Sequence, residues 1–290
     1  MEKFKIYPEY KEKLIAIGKR AGLNLDLDNP KTIQDKINWL KLYDSTPLKT
    51  KCADKILVHD YCKEKVGIDL CIPILKIYNN VNEINWTELP NAFVIKCNHG
   101  SGMNIIVKDK SKLDIKDTEA KLTRFMKDDF AFHVGYEMHY HNIPHKIFVE
   151  EYKEDESQKN SLFDYKFWCF NGEPKLYTIN DGYGHGDIIY YGMDDKIIDP
   201  YCLNKPGLQY KKPVNFEKMV EYSKILSKDF KFVRVDFYEV SEKLYLGELT
   251  FTPGAGFFKY KKEEYNKVFG DWINLGSQQP TTKVRGLDKE

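Results

Sequence analysis

The residues best suited to chemistry lie in Phe232–Phe258, where Phe232, Arg234, Asp236 and Tyr238 share one parity and Leu244, Leu246, Glu248 and Thr250 share another. The polar stretch Ser241-Glu242-Lys243 separates them, so the pattern predicts two strands turning near Glu242. Such a hairpin sets Asp236 opposite Glu248, and cross-strand neighbours on one face sit about 5 Å apart at Cβ. Two carboxylates at that spacing, buried between apolar residues, repel and lose hydration unless a metal ion, a proton or Arg234 compensates. A solvated charge pair on an edge hairpin would show the same pattern and need no partner.

A second candidate is Phe93–Asn104, a strand ending at Lys96 followed by the loop His99-Gly100-Ser101-Gly102 and another strand. Glycines at 100 and 102 let backbone N–H groups approach phosphate oxygens, and Lys96 projects a cation toward the same anion. The spacing is neither a Walker A nor a GxGxxG, and an ordinary hairpin with a surface lysine shares it. His99 by itself reads as a local hydrogen-bonder. Lys166 alternates with bulky neighbours in Asp164-Tyr165-Lys166-Phe167-Trp168. It either snorkels to solvent or faces the cleft of the hairpin carboxylates. His133, His139, His141 and His145 lack HxxxH spacing and a carboxylate pair, which argues against a histidine metal site.

These residues must be held by a folded frame, and 290 residues at 42% hydrophobic and 14% aromatic content suffice for one large domain or two modest ones. Lys and Arg (45) nearly cancel Asp and Glu (44), so no global field draws nucleic acid or a membrane surface. Any anion must be caught locally. The N-terminus has no apolar stretch of signal-peptide length, and no run approaches the ~20 residues that span a bilayer, which points to a cytoplasmic chain with no integral membrane segment. Cys52, Cys62, Cys71, Cys97, Cys169 and Cys202 form no CxxC pair, favouring reduced thiols over a disulfide frame or zinc site.

Apolar spacing predicts helices over Lys3–Arg20, Thr32–Tyr43, Lys51–Val66 (stopped by Gly67), Asp117–Asp128 and Phe216–Asp229. Strands are expected over Ile72–Ile77, Ala92–Cys97, Ile105–Lys108 and Ile147–Tyr152, with a hairpin of Asp164–Phe170 and Pro174–Ile179 turned at Asn171-Gly172. The charged run Lys153–Lys159 reads as a hinge. Asp181–Gly192, with four glycines, reads as a mobile segment, and the tail beyond Gly276 as frayed.

The order of these motifs resembles the ATP-grasp superfamily, in which two α+β lobes grip ATP. The resemblance runs through Ala53-Asp54-Lys55, Lys96 with its glycine loop, Val149-Glu150-Glu151-Tyr152, Asp164-Tyr165-Lys166, Arg234-Val235-Asp236, Glu248-Leu249-Thr250 and Pro253-Gly254. With KINWLKLYD at Lys36–Asp44 and GELTFTPGAGF at Gly247–Phe257, the wording is similar to the TupA-like branch, named for teichuronopeptide synthesis.

The resemblance implies an α+β fold divided into a helical segment 1–48, a small lobe 49–148, a large lobe 149–275 and a flexible tail 276–290. It implies ATP and Mg²⁺, two ions, as cofactors. Lys55, Lys96, His99, Gly100, Ser101, Gly102 and Lys166 would serve the phosphates, with Glu150, Glu151 and Tyr152 at adenine. Asp236, Glu248 and Thr250 would hold metal, Glu248 bridging both ions, and Arg234 with Lys166 would act in catalysis. Thr250 departs from the asparagine of most relatives and, being shorter, implies looser or water-mediated metal contact. The stretch ahead of Lys55 is too short for the substrate domain many relatives carry, so the acceptor pocket does not transfer.

The implied activity is amide formation through an acyl phosphate, with a glycan or small-molecule carboxylate as acceptor and an amine as donor. Asp181–Gly192 and the loop 98–104 would be lids that exclude water, with Tyr183, Tyr190 and Tyr191 stacking on sugar. A kinase of sugar hydroxyls, a metal-dependent glycosyltransferase and a silent nucleotide-binding scaffold are the rival classes.

Overall fold

A capping box starts the helical entry. Thr32 accepts from the Asp35 backbone N–H while the Asp35 carboxylate accepts from that of Thr32, satisfying amides left open at a helix start. The structure, a computed structural model, describes residues 8–154, 162–180, 188–202, 210 and 212–276. Within it α1 spans Pro8–Arg20 and α2 Ile33–Tyr43. The single helix expected over 51–66 is two, α3 (Pro47–Ala53) and α4 (Val58–Val66). Asp54 breaks it: its backbone leaves helical geometry at ψ 113°, and its carboxylate accepts from the Ile56 N–H at 2.8 Å instead of letting the helix run on. Gly67 does terminate α4, at φ 84°.

Next come β1 (Ile74–Tyr78), β2 (Phe93–Cys97), β3 (Asn104–Val107), α5 (Ile115–Lys127) and β4 (Ile147–Glu151). The four strands form one antiparallel sheet in the order β1-β4-β2-β3, and Phe93, Ile95 and Val149 pack one face against Leu122 of α5. The lobe division expected at residue 149 therefore falls inside β4, whose ladder hydrogen bonds go to this sheet. Of the expected hinge, residues 155–159 lie outside the described residues.

The second sheet is built from β5 (Asp164–Phe170), β6 (Glu173–Asn180), β7 (Ile188–Gly192), β8 (Ile197–Ile198), β9 (Phe232–Val240) and β10 (Lys243–Thr250), in the order β10-β9-β5-β6-β7-β8. Helices α6 (Phe216–Ser227) and α7 (Glu264–Asp271) complete the frame. The turn at Asn171-Gly172 forms as expected, with φ 49° and 83°. One face of the sheet buries Phe167, Val233, Val235 and Phe237 against Met219 and Leu226 of α6. The other carries Trp168, Phe170 and Phe232 under α2 and α7, then leaves Lys166 and Asp236 facing a cleft.

Two expectations for the segment 181–192 and its tyrosines are corrected. Residues 188–192 are strand β7, because Ile188-Ile189-Tyr190-Tyr191 pairs in register with β6; Tyr190 (8% exposed) and Tyr191 (6%) are core residues with no free face for a sugar. Residues 181–187, Tyr183 among them, and the tail 277–290 lie outside the described residues.

The hairpin of β9 and β10 also differs from simple alternation. Its turn is the two-residue Ser241-Glu242, at φ 49° and 64°, with Lys243 opposite Val240. Leu246 pairs with Phe237, but Glu248 pairs with Asp236, so Gly247 is an extra residue, a β-bulge. Leu244 and Leu246 thereby pack in the core with Phe237, whereas Glu248 and Thr250 share the opposite face with Asp236 and Arg234, and Glu248 and Asp236 reach the cleft. Strict alternation put all four β10 residues on one face; the pairing of the two acids held, but through a tighter turn and a bulge. A Cβ at Gly247 would lie 2.8 Å from Tyr238 Cε2 and 3.2 Å from the Asp236 carbonyl oxygen. Gly247→Val is expected to destabilise the protein by about 1–3 kcal/mol through overpacking, with Gly247→Ala milder. Thermal unfolding checks both, and an unchanged midpoint for Gly247→Val would show that the bulge tolerates a side chain.

Candidate active site

A cavity of about 460 Å³ opens where the two sheets face each other. β2 brings Lys96 to it, the following loop Ser101 and Gly102, and β4 Glu150. The six-stranded sheet brings Asp164, Lys166, Asp236 and Glu248, and the break between α3 and α4 brings Lys55. Each cation has a carboxylate partner. Lys96 pairs with Glu150, Lys55 with Glu248 at 3.5 Å, and Lys166 with Asp164 at 2.9 Å and Asp236 at 3.6 Å. Arg234 grips Asp236 with both prongs of its fork, Nε to Oδ1 at 2.7 Å and Nη2 to Oδ2 at 2.5 Å, and Nη2 also donates to the Thr250 hydroxyl at 3.2 Å. That hydroxyl donates to Glu248 Oε1 at 2.7 Å.

The titration behaviour follows from burial and these partners. Burial raises Asp236 above the ordinary carboxylate range, and Arg234 and Lys166 act against that shift. Burial works the same way on Glu248, but there Lys55, Arg234 and the Thr250 hydroxyl outweigh it and pull the carboxyl down to about 2. Burial alone would depress Lys166; Asp236 and Asp164 win, and the ammonium is held above its usual value. One acid lies deep and gripped, the other is firmly ionised.

One side chain ties the cleft's segments together. Asn98, fully buried, donates from Nδ2 to Asp54 Oδ1 and to the Pro144 carbonyl, both at 3.0 Å, and accepts at Oδ1 from the Lys146 N–H at 2.8 Å. Its own carbonyl accepts from the Lys55 N–H at 3.2 Å. Lys55, the glycine loop and the entry to β4 are thus fixed to one amide. Beyond β10, Gly254, Ala255 and Gly256 all take positive φ (53°, 50°, 71°), and α2 holds that strained turn: Lys41 Nζ donates to the Ala255 carbonyl at 2.5 Å and Asn38 Nδ2 to that of Gly256 at 2.8 Å.

Several expected contacts do not line the cavity, Arg234 and Thr250 among them, which meet it only through their bonds to Asp236 and Glu248. His99 is 1% exposed, stacks on His145 at 3.6 Å between centroids, and shares a hydrogen bond at 3.1 Å between Nε2 and the Phe125 carbonyl. Gly100 is packed against Phe130 and Met103, so these two residues support the loop while Ser101 and Gly102 present it. Glu151 and Tyr152 do not line the cavity: β4 alternates, Glu150 points in, and Glu151 pairs with Lys153. Conversely, Asp164, His59 and Cys71 line it and were not anticipated. Asp164 shares parity with Lys166, a signal that was available; His59 and Cys71 reach the wall only through tertiary packing.

Facing sheets with paired lysines and acids between them have the arrangement of an ATP-grasp protein. A sequence profile of the TupA-like ATP-grasp family matches residues 35–274, and the chain belongs to that family, with its α+β fold. Solved structures with similar folds include the D-alanine–D-alanine ligase of Bacillus anthracis complexed with ATP (16% identity, 77% of this chain and 63% of that one, TM-score 0.44). Others are the Helicobacter pylori D-alanine–D-alanine ligase (16%, 77% and 61%, TM-score 0.42) and N5-carboxyaminoimidazole ribonucleotide synthetase in its ADP complex (13%, 83% and 57%, TM-score 0.45). The chain spans less than two thirds of the length of each. No curated protein matches it.

Burial and the neighbouring His145 lower His99 from 6.5 to about 4. An unfolded histidine takes up its proton as pH falls through 6.5, but the folded one resists until about 4. The fold is therefore unpenalised by His99 above pH 6.5 and is destabilised as pH falls from 6.5 toward 4, where the unfolded imidazole is protonated and the folded one is not. In denaturant unfolding, His99→Phe should show a correspondingly shallower loss than the parent across that window; parallel pH profiles would contradict the assignment.

Proposed function

We propose that the protein is an ATP-dependent carboxylate–amine ligase that works through an acyl-phosphate intermediate. The observation that carries this reading is the convergence of Lys55, Lys96 and Lys166 with Glu150, Asp164, Asp236 and Glu248 on one cleft of an ATP-grasp chain, with Arg234 behind Asp236 and bonded to it. Lys55 and Lys96 exchange their carboxylate partners for phosphate oxygens, with Ser101 and Gly102 offering backbone N–H groups. Glu150, released from Lys96, would meet the adenine end. Lys166 turns from Asp236 toward the terminal phosphoryl group.

Asp236, Glu248 and the Thr250 hydroxyl are hard oxygen donors that would hold Mg²⁺, with Glu248, which faces the cavity, shared between the ions where two bind. Mg²⁺, when bound, neutralises phosphate charge as the phosphoryl group moves. Arg234 frees part of its fork from Asp236 and holds the acyl phosphate formed on the substrate carboxylate, until an amine displaces phosphate. The substrates we infer are a uronic-acid carboxylate of a surface polysaccharide precursor and an amino acid or other amine, a choice supported by family resemblance. A cytoplasmic location belongs to the same proposal; among the described residues no helix is long and apolar enough to cross a membrane. We also propose a small lobe that ends after β4 and a large lobe from β5 onward.

The test is a panel of uronic acids and amines with ATP and Mg²⁺, scored for phosphate release and product mass. Acid- and amine-dependent phosphate release with an amide product is expected; ADP release with no need for a carboxylate would overturn the reading in favour of a kinase. Glu248→Gln should lower turnover by about 10²-fold or more with the fold intact by circular dichroism, and Asp236→Asn should lower it as much while also lowering the thermal midpoint, because the buried Arg234 loses its ionised partner. Lys96→Ala should chiefly raise the KM for ATP.

A further inference from the structure

We propose that His59, Asp69 and Cys71 form a binding site for a borderline-soft divalent transition metal, Zn²⁺ or its like, in the wall of the cavity. One donor atom from each residue lies within 4.8 Å of the others. They combine an imidazole, a carboxylate and a thiol, a set that suits zinc and excludes magnesium, which takes oxygen ligands.

The donors come from two segments, α4 and the stretch that follows it. His59 sits in the first turn of α4, its Nδ1 2.8 Å from Asp69 Oδ2. The other Asp69 oxygen accepts from the Cys71 N–H at 2.9 Å, which fixes the carboxylate's orientation. Cys71 is pinned by a bridge to Leu246, reinforced by the Leu246 N–H donating to the Leu70 carbonyl at 2.9 Å. A histidine–aspartate pair alone would be an ordinary surface contact. Here a third, soft donor is held beside it, and both His59 and Cys71 line the cavity, so an ion can enter and keep an exchangeable position toward it. Three protein ligands and one open position is a common arrangement for zinc outside purely structural sites.

The cysteine spacing argued against a zinc site because it holds no cysteine pair; this set draws one cysteine and reaches back along the chain to α4 for its histidine. Binding replaces the Cys71 S–H proton with the metal and breaks the thiol's contact with Cys62, and one proton leaves to solvent per ion bound. The site stands apart from the ligase reading, since none of its three donors has a part in phosphate binding there.

The test is titration of the full chain with Co²⁺, without ATP and with Mg²⁺ in excess, in a Cys202→Ser background that removes the exposed thiol. Expected are one Co²⁺ per chain, visible ligand-field absorption and a near-ultraviolet thiolate-to-cobalt band. Cys71→Ser should abolish the near-ultraviolet band. His59→Ala and Asp69→Asn, the latter keeping an acceptor for the Cys71 N–H, should each weaken Co²⁺ binding about tenfold or more. Should Cys71→Ser not fold, Asp69→Asn still decides. No thiolate band in the starting protein, a band that survives Cys71→Ser, or unchanged affinity in Asp69→Asn would each overturn the proposal.

Discussion

The grip of Arg234 on Asp236, set beside Glu248 by the bulge at Gly247, is the constraint from which the cleft is built. Three charged groups sit on one small area of sheet whose opposite face is apolar core. Removing one partner of a buried pair typically costs about 3–5 kcal/mol, because the charge left behind has lost its water. Arg234 and Lys166 therefore hold the buried Asp236 in place, whereas Lys55 meets a Glu248 that is a third exposed and is held less strictly. The site must keep its carboxylates compensated whether or not a ligand is present, and the ladder of ion pairs does this.

The elements were legible because apolar spacing reflects which face is buried. β5, β6, the Asn171-Gly172 turn and α2 stand where the sequence puts them. The misses have local causes. Asp54 is compatible with helix by composition, and only its hydrogen bonds to Ile56 and Asn98 reveal a break. A bulge leaves no mark on an alternating pattern except a glycine, so Gly247 hid the switch of face between Leu246 and Glu248. Tyr190 and Tyr191 sat beside glycines and read as loop, but their partners on β6 decide otherwise.

Of the candidate site, the charged residues were legible because a lysine or carboxylate alternating with bulky neighbours marks a half-buried face. Lys96, Lys166, Asp236 and Glu248 do share one cavity. His99 and Gly100 could not be told from Ser101 and Gly102, since every residue of a short loop looks equally exposed in a sequence. Two stretches that carried the family resemblance, KINWLKLYD and PGAGF, prove to touch, through Lys41 and Asn38. Burial lowers the Lys41 ammonium to about 7, so the residue serves three backbone and amide acceptors at some electrostatic cost.

The pairing of four cations with four carboxylates gives the cleft no net charge, and the whole chain carries only +1. Such a surface exerts little long-range pull on an anion, so capture depends on diffusion and on partner swapping once contact is made. A nucleoside triphosphate accompanied by two divalent ions is itself close to neutral. Loading would then redistribute charge without altering the total, and the interior would meet the same mean field full or empty. Discrimination between ligands would rest on geometry, on which oxygens reach which ammonium, and hardly at all on the sign of what arrives.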